Sequence, residues 1–439
     1  MAYVAPFRAW RYNLDRLGSL ASLIAPPYDV IDDEAQRELI ERSPYNIVHV
    51  DLAAERPDDH EAENRYTRAA SLLTRSKAEQ ILIRDPQPTV TVVEEAFVDP
   101  EGQPRRRRGI LAALRLADFA EGVVFPHEAT LTGPKEDRFR LMNATGMSLS
   151  PVFMLYESPG DEILTLWDRI DGERTPTAAL GIPGISKLRL WAADDPDLLR
   201  SVGETLAGRS VLIADGHHRY ETALRYRDEQ RAQGRGEGPW DFCLVYLVST
   251  DNPGLAIFPT HRLLHDLPRN VIEDLPQLLA PYFEVEELSS SPVAISAAID
   301  RYLEEHQGEE PAFGLVLADP PAAFGVQLRD PASVERFAPD RSPAGRALDV
   351  TVLHSVILEG ILGITPEDIA AEHKVHFAKD RNEAFRGVSS GESQAGFFMN
   401  PTGLGQMLQV ASSGERLPQK STYFYPKLPT GLVLYGLEK

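Results

Sequence analysis

The chain has 439 residues, a formal net charge of −21 and 43% hydrophobic residues. That length exceeds what one compact core organises and predicts two or three domains, while the acidic balance argues against a nucleic-acid partner, which needs a basic footprint. No apolar run approaches the roughly 20 residues of a bilayer span, the first residues do not read as a signal peptide, and the single cysteine, Cys243, excludes an internal disulfide or a thiolate metal cluster. A cytoplasmic protein with no membrane partner is the expectation.

From the N-terminus, Pro6-Phe7-Arg8 is followed by Ala25-Pro26-Pro27-Tyr28-Asp29-Val30, where two prolines impose an extended, rigid loop. Nothing in the sequence assigns that loop a role. Helical spacing of apolar residues covers 33–42 and 61–80, and strands are predicted at Ile81–Arg84 and Thr89–Phe97. The basic run Arg105–Arg108 follows the turn-like Asp99–Pro104 and reads as the solvated end of a hairpin.

Further along, Ile110–Leu116, Val152–Tyr156 and Phe242–Ser249 read as strands, with a polar segment at His127–Asn143 and a Gly-rich loop at Gln233–Pro239. Strands are also predicted at Phe313–Leu317, Phe324–Leu328, Ala395–Met399 and Gln406–Val410, around a Pro-rich loop at 331–345. Short strands and helices without a steady βα rhythm predict an α+β protein. The expected partition is an N-terminal α/β segment over 1–108, a core with the site over 109–265, and a C-terminal α/β domain over 266–439.

The most informative stretch is Val211-Leu212-Ile213-Ala214-Asp215-Gly216-His217-His218-Arg219-Tyr220. Its spacing predicts a strand ending near Ala214, a turn at Asp215–Arg219 and a helix from Tyr220. A helix N-terminus presents backbone N–H groups and a positive dipole end to an anion, and Arg219 can add a bidentate grip on phosphate.

A second constellation is Pro126-His127-Glu128-Ala129-Thr130-Leu131-Thr132-Gly133-Pro134-Lys135-Glu136-Asp137-Arg138. Thr132 or Gly133 can cap a helix starting near Pro134, leaving His127, Glu128, Thr130 and Lys135 before it or in its first turn. A glutamate beside a histidine suits general-base work, and Lys135 suits phosphate as a point charge.

A third stretch, Lys420-Ser421-Thr422-Tyr423-Phe424-Tyr425-Pro426-Lys427, lacks the glycines of a P-loop. Its lysines read equally as surface residues of an edge strand or as anion contacts. The pairs His261/His265 and His373/His376 have metal-ligand spacing on a helix but lack the glutamate of the zinc motif, so they read as structural histidines. No Gly-x-Ser-x-Gly or Gly-x-Gly-x-x-Gly pattern supports a serine hydrolase or a dinucleotide-binding enzyme.

Together these stretches, with Ser150-Pro151-Val152-Phe153 and Pro259-Thr260-His261-Arg262, resemble the domain of unknown function 1015 family of prokaryotic proteins from end to end. A narrower resemblance links Asp215–Arg219 to the nucleotide-binding motif of the ParB and sulfiredoxin superfamily. Within it, the archaeal free-serine kinases carry Pro-His-Glu upstream of Asp-Gly-His-His-Arg, as Pro126–Glu128 and Asp215–Arg219 do here. The spacing between the two motifs is much longer in this chain, so an insertion separates them.

This resemblance implies a ParB/sulfiredoxin-like core with additional N- and C-terminal segments. It implies a small-molecule kinase that moves a phosphoryl group from ATP or ADP to a hydroxyl, with free L-serine as the candidate acceptor. Glu128, beside His127, is then the base. Asp215, Gly216, His217, His218 and Arg219 surround the phosphates, with Lys135, Arg138 and Lys420 as further anion contacts. Asp215 or Asp137 is the expected Mg²⁺ ligand. The alternative is a nucleotide-binding regulatory or scaffold protein without turnover.

Overall fold

A computed structural model describes residues 1–128, 132–171, 175–418 and 420–438, and the chain is α+β. It divides into two compact units. The first comprises Met1–Pro126, Thr130–Ala256 and Pro426–Lys439; the second comprises His127–Ala129 and Ile257–Tyr425.

The first unit is built on a nine-stranded sheet in the order Val124–Phe125, Val211–Asp215, Val152–Tyr156, Phe242–Ser249, Pro104–Arg115, Val90–Val98, Ile185–Ala193, Ala178–Ile182, with Val4–Ala5 also paired to Pro104–Arg115. Two pairings are parallel, those of Val211–Asp215 with Val124–Phe125 and of Phe242–Ser249 with Val152–Tyr156. Alternate residues of each central strand enter one core: Ile110 and Ala112, Val152 and Met154, Val211 and Ile213, Val245 and Leu247. The opposite face is buried as well, which explains why Phe242–Ser249 reads as a continuous apolar run rather than an alternating one.

The basic run corrects the sequence reading. Arg105–Arg108 does lie at the end of the hairpin formed by Val90–Val98 and Pro104–Arg115, but as paired strand rather than as a solvated tip, and its cations pair with Asp99, Glu94, Glu95 and Asp168 in turn. Arg107 and Glu95 are both fully buried. The guanidinium meets the carboxylate at 2.8 and 3.0 Å, donates to the Pro426 carbonyl at 2.6 Å, and lies 5.0 Å from the Phe153 ring.

The second unit has a six-stranded antiparallel sheet in the order Phe283–Ser289, Pro321–Leu328, Ala312–Ala318, Ala395–Met399, His261–Leu264, Val375–Ala378. The helices Ile295–Glu305 and Arg381–Ser389 pack Ile299, Tyr302, Ala384 and Val388 against Leu263, Val316, Ala323 and Phe398. The predicted strand at Gln406–Val410 is instead the helix Leu404–Ser412, in which Met407, Val410 and Ala411 are buried at a spacing of three and four. His261 lies in a strand, as does His376, so neither histidine pair shares a helix face.

The expected domain limits shift accordingly. The strand Pro104–Arg115 runs through the 108/109 boundary, His127 and Glu128 belong to the second unit rather than to the 109–265 core, and the last residues return to the first unit. Among the described residues, no helix is long and apolar enough to cross a membrane.

Candidate functional site

The Asp215–Arg219 turn is tighter than its spacing predicts. The strand continues to Asp215, Gly216 alone makes the turn, and the helix His217–Ala232 starts at once. His217, His218 and Arg219 therefore form the first helical turn, where backbone N–H groups lack carbonyls one turn earlier. Gly216 has φ +96°, and a Cβ there would lie 2.8 Å from the Arg219 guanidinium. Gly216→Ala is expected to cost at least about 1–2 kcal/mol from the left-handed backbone alone, read as a lower denaturant midpoint. An unchanged midpoint would show that the turn can relax without glycine.

The helix is fixed in depth by Tyr220, whose hydroxyl accepts from the Ala117 N–H at 3.0 Å and donates to its carbonyl at 2.8 Å. It lies against the helix Thr132–Thr145, through Lys135 to Glu221 at 2.9 Å and Arg225 to Glu136 at 2.7 Å. That second helix begins at Thr132, two residues before the expected start, so Lys135 sits in its first turn. Thr130 lies outside the described residues.

Around the turn runs an ionic chain. Asp215 Oδ2 accepts from Arg219 Nη2 at 2.6 Å, and Asp215 Oδ1 lies 3.1 Å from Lys427 Nζ, which also donates to Asp29. Arg219 Nη1 reaches Ser150 Oγ at 2.7 Å and the Pro151 carbonyl. Burial by itself would raise the Asp215 pKa, but the Lys427 and Arg219 charges outweigh it and hold the carboxyl well below the usual range. Burial likewise disfavours charged Lys427, and Asp215 with Asp29 reverses the balance.

The Pro26-Pro27-Tyr28-Asp29 segment is not extended throughout, since Tyr28–Val30 form a 3₁₀ turn after Pro27, and it gains a role that spacing did not reveal. Asp29 holds Lys427, and the Tyr28 ring lies 4.1 Å from the Arg138 guanidinium. Arg138 is buried, and its donors go to the Asp51 carbonyl at 2.7 Å, to Asp51 Oδ1 at 3.0 Å and to Asp137. These contacts tie Arg138 to Asp51 and Asp137. Asp137 accepts from Arg65 at 2.6 Å and Tyr66 at 2.8 Å in addition to Arg138.

Neither expected metal ligand fits a resident divalent cation as held. Asp137 and Asp215 each have both oxygens engaged by cationic side chains, and among the described residues no group of three or more His, Cys, Asp or Glu could hold a metal.

The remaining predicted residues cluster in the second unit. His127, with a fully buried side chain, lies 2.8 Å from Thr422 Oγ1 through Nε2. Glu128 Oε1 accepts from the Ser421 N–H at 3.1 Å and from the Thr422 N–H and hydroxyl at 3.4 Å. The loop they hold is backed by Arg262, which is fully buried and donates to the Lys420 carbonyl at 3.1 Å and to His354 Nε2 at 3.0 Å. Burial pulls the Arg262 pKa down to about 9, against the opposing charge of Glu128. Burial and Arg262 keep His354 neutral, so Nε2 is the acceptor.

Lys420 belongs to the second unit. Its ammonium pairs with Glu372 and lies 4.4 Å from the Phe377 ring centre. The C-terminal lysine that reaches Asp215 is Lys427. It stood at the end of the stretch singled out in the sequence, but only its return to the first unit distinguishes it from Lys420.

Fold and site thus define an α+β protein whose first unit turns a strand directly into a helix start lined by paired cations. The chain belongs to the family of proteins of unknown function DUF1015, whose model matches residues 4–351. No curated protein matches it. Among solved structures, it is similar to a free serine kinase variant in complex with AMP, at 13% identity over 72% of this chain and 87% of that one, with a TM-score of 0.35. A conserved hypothetical protein from Pyrococcus furiosus is similar at 14% identity, covering 73% and 93%, with a TM-score of 0.34. C-terminally truncated SbnI from Staphylococcus aureus is similar at 10% identity, covering 72% and 84%, with a TM-score of 0.33.

Proposed function

We propose that the first unit binds nucleotide phosphates at the start of the 217–232 helix. The protein is then a small-molecule kinase moving a phosphoryl group from ATP or ADP to a hydroxyl, with free L-serine as the candidate acceptor. The observation that carries this reading is the strand–glycine–helix turn at Asp215–His217, with Arg219 in its first turn and Lys427 beside it. Such a helix start favours anions, and phosphoryl transfer asks mainly for positioning and charge neutralisation. Glu128 is the base in this reading, with His127 beside it. Mg²⁺ enters in this reading as the counter-ion carried in on the nucleotide.

A second reading, a nucleotide-responsive regulator without turnover, draws on the ionic chain itself. Arg219 and Lys427 are already paired with Asp215 and Asp29. A phosphate that displaced those carboxylates would rearrange the loop at 26–29.

Calorimetric titration with ATP and ADP, beside a phosphorus-31 assay with serine and other hydroxylated metabolites, separates the readings. The wild type is expected to bind nucleotide and to convert it only with an acceptor. Arg219→Ala is expected to weaken nucleotide binding by about 10–100-fold, the scale of a charge-assisted hydrogen bond. Binding without acceptor-dependent conversion would favour the regulator, and unchanged affinity in Arg219→Ala would move the nucleotide site elsewhere.

A further inference from the structure

The first unit holds a cavity of about 40 Å³, partly open to solvent and lined by Asp51, Arg138, Met142, Ser150, Arg219 and Thr222 among others. One water needs roughly 10–15 Å³ measured this way, so the space holds a fragment of a few heavy atoms. Two of its lining groups are incompletely satisfied. Asp51 Oδ2 and Thr222 Oγ1 are buried and have no hydrogen-bond partner, and the residues are only 5% and 1% exposed.

Buried polar atoms are nearly always paired, and leaving one unpaired typically costs about 1–3 kcal/mol. Two such atoms on one cavity point to an occupant that supplies what they lack. Asp51 needs a donor. Thr222 can donate or accept.

The charges narrow the class. The charged lining side chains are already in ion pairs, Arg138 with Asp51 at 3.0 Å and Arg219 with Asp215 at 2.6 Å. A ligand with net charge would unbalance these pairs among lining residues that are mostly buried. A net-neutral ligand with a strong donor at one end would not. The remaining wall is mostly apolar, with Leu141, Met147, Leu149, Val152 and Cys243 beside Ser148.

We infer that this cavity is a binding site for a small zwitterionic α-amino acid, its ammonium on Asp51 Oδ2 and its carboxylate toward Thr222 and Arg219. The site rests in part on the kinase reading, whose L-serine acceptor is of this class and whose phosphate contact is the same Arg219; binding read without nucleotide lets the two fail separately.

The test uses the full chain without nucleotide. Saturation-transfer NMR and calorimetry are run with glycine, L-alanine and L-serine, and with acetate, methylammonium and glycerol as single-function probes. The amino acids are expected to bind and the single-function probes to fail to displace them. Thr222→Val, which preserves side-chain shape, and Asp51→Asn are each expected to weaken amino-acid binding by about tenfold. Thr222→Val removes only a hydroxyl without a partner, so its melting temperature should not fall, and it serves if Asp51→Asn does not fold. No amino-acid binding, meaning a cavity filled by water only, would overturn the inference. So would undiminished binding in Thr222→Val, or acetate or methylammonium binding as tightly as glycine.

Discussion

Glu128→Gln is expected to lower acceptor-dependent turnover by about 10²–10⁴-fold, the usual worth of general-base catalysis, while leaving nucleotide affinity unchanged. The structure makes this substitution selective. Glu128 Oε1 accepts from the Ser421 and Thr422 N–H groups and the Thr422 hydroxyl. A glutamine keeps a carbonyl oxygen that can accept the same bonds, so the loop at 420–422 keeps its anchor. What disappears is the carboxylate that can take a proton. Single-turnover rates and nucleotide titration on the same preparation separate the two effects. Wild-type turnover in Glu128→Gln would make Glu128 a clamp on the 420–422 loop and remove it as the base.

Arg107→Met is expected to destabilise the first unit by about 3–5 kcal/mol, because it strands a buried carboxylate. Glu95 is fully buried, and its bonds come from Arg107 and from the Tyr246 hydroxyl at 3.0 Å. Arg107 also donates to the carbonyl of Pro426, the residue before Lys427, so its loss should loosen the segment that brings Lys427 to Asp215. Arg107→Met with Glu95→Leu removes both charges and should recover much of the stability without restoring the Pro426 contact. Denaturant unfolding of the single and double variants checks the first point. Nucleotide affinity of the double variant checks the second. A single variant as stable as the wild type would show that water or a shifted pKa relieves Glu95.

Local chemistry was legible wherever a residue's environment is its own neighbours in the chain. The strands Val152–Tyr156, Phe242–Ser249 and Ala395–Met399 and the helix Asp33–Arg42 follow from apolar runs and spacing alone. Gly216 could be placed in a turn because Asp-Gly between an apolar run and a helical pattern has few other solutions. The same logic misread Gln406–Val410, a short apolar segment in which helix and strand periods are hard to separate.

Partners far apart in sequence were not legible, because a lysine in one stretch carries no mark of the carboxylate it will meet. Lys420 and Lys427 look alike in the chain, yet one pairs with Glu372 and the other with Asp29 and Asp215. Arg138 and Asp137 read as phosphate and metal groups from their types, but burial beside Asp51, Arg65 and Tyr28 commits them to one another. Composition, strand and helix periods and the Asp-Gly-His-His-Arg turn are local properties, set by backbone sterics and side-chain polarity. Which charges are neutralised, which are buried and which carboxylate keeps an unpaired oxygen depend on distances across the fold, and those exist only once the chain has packed.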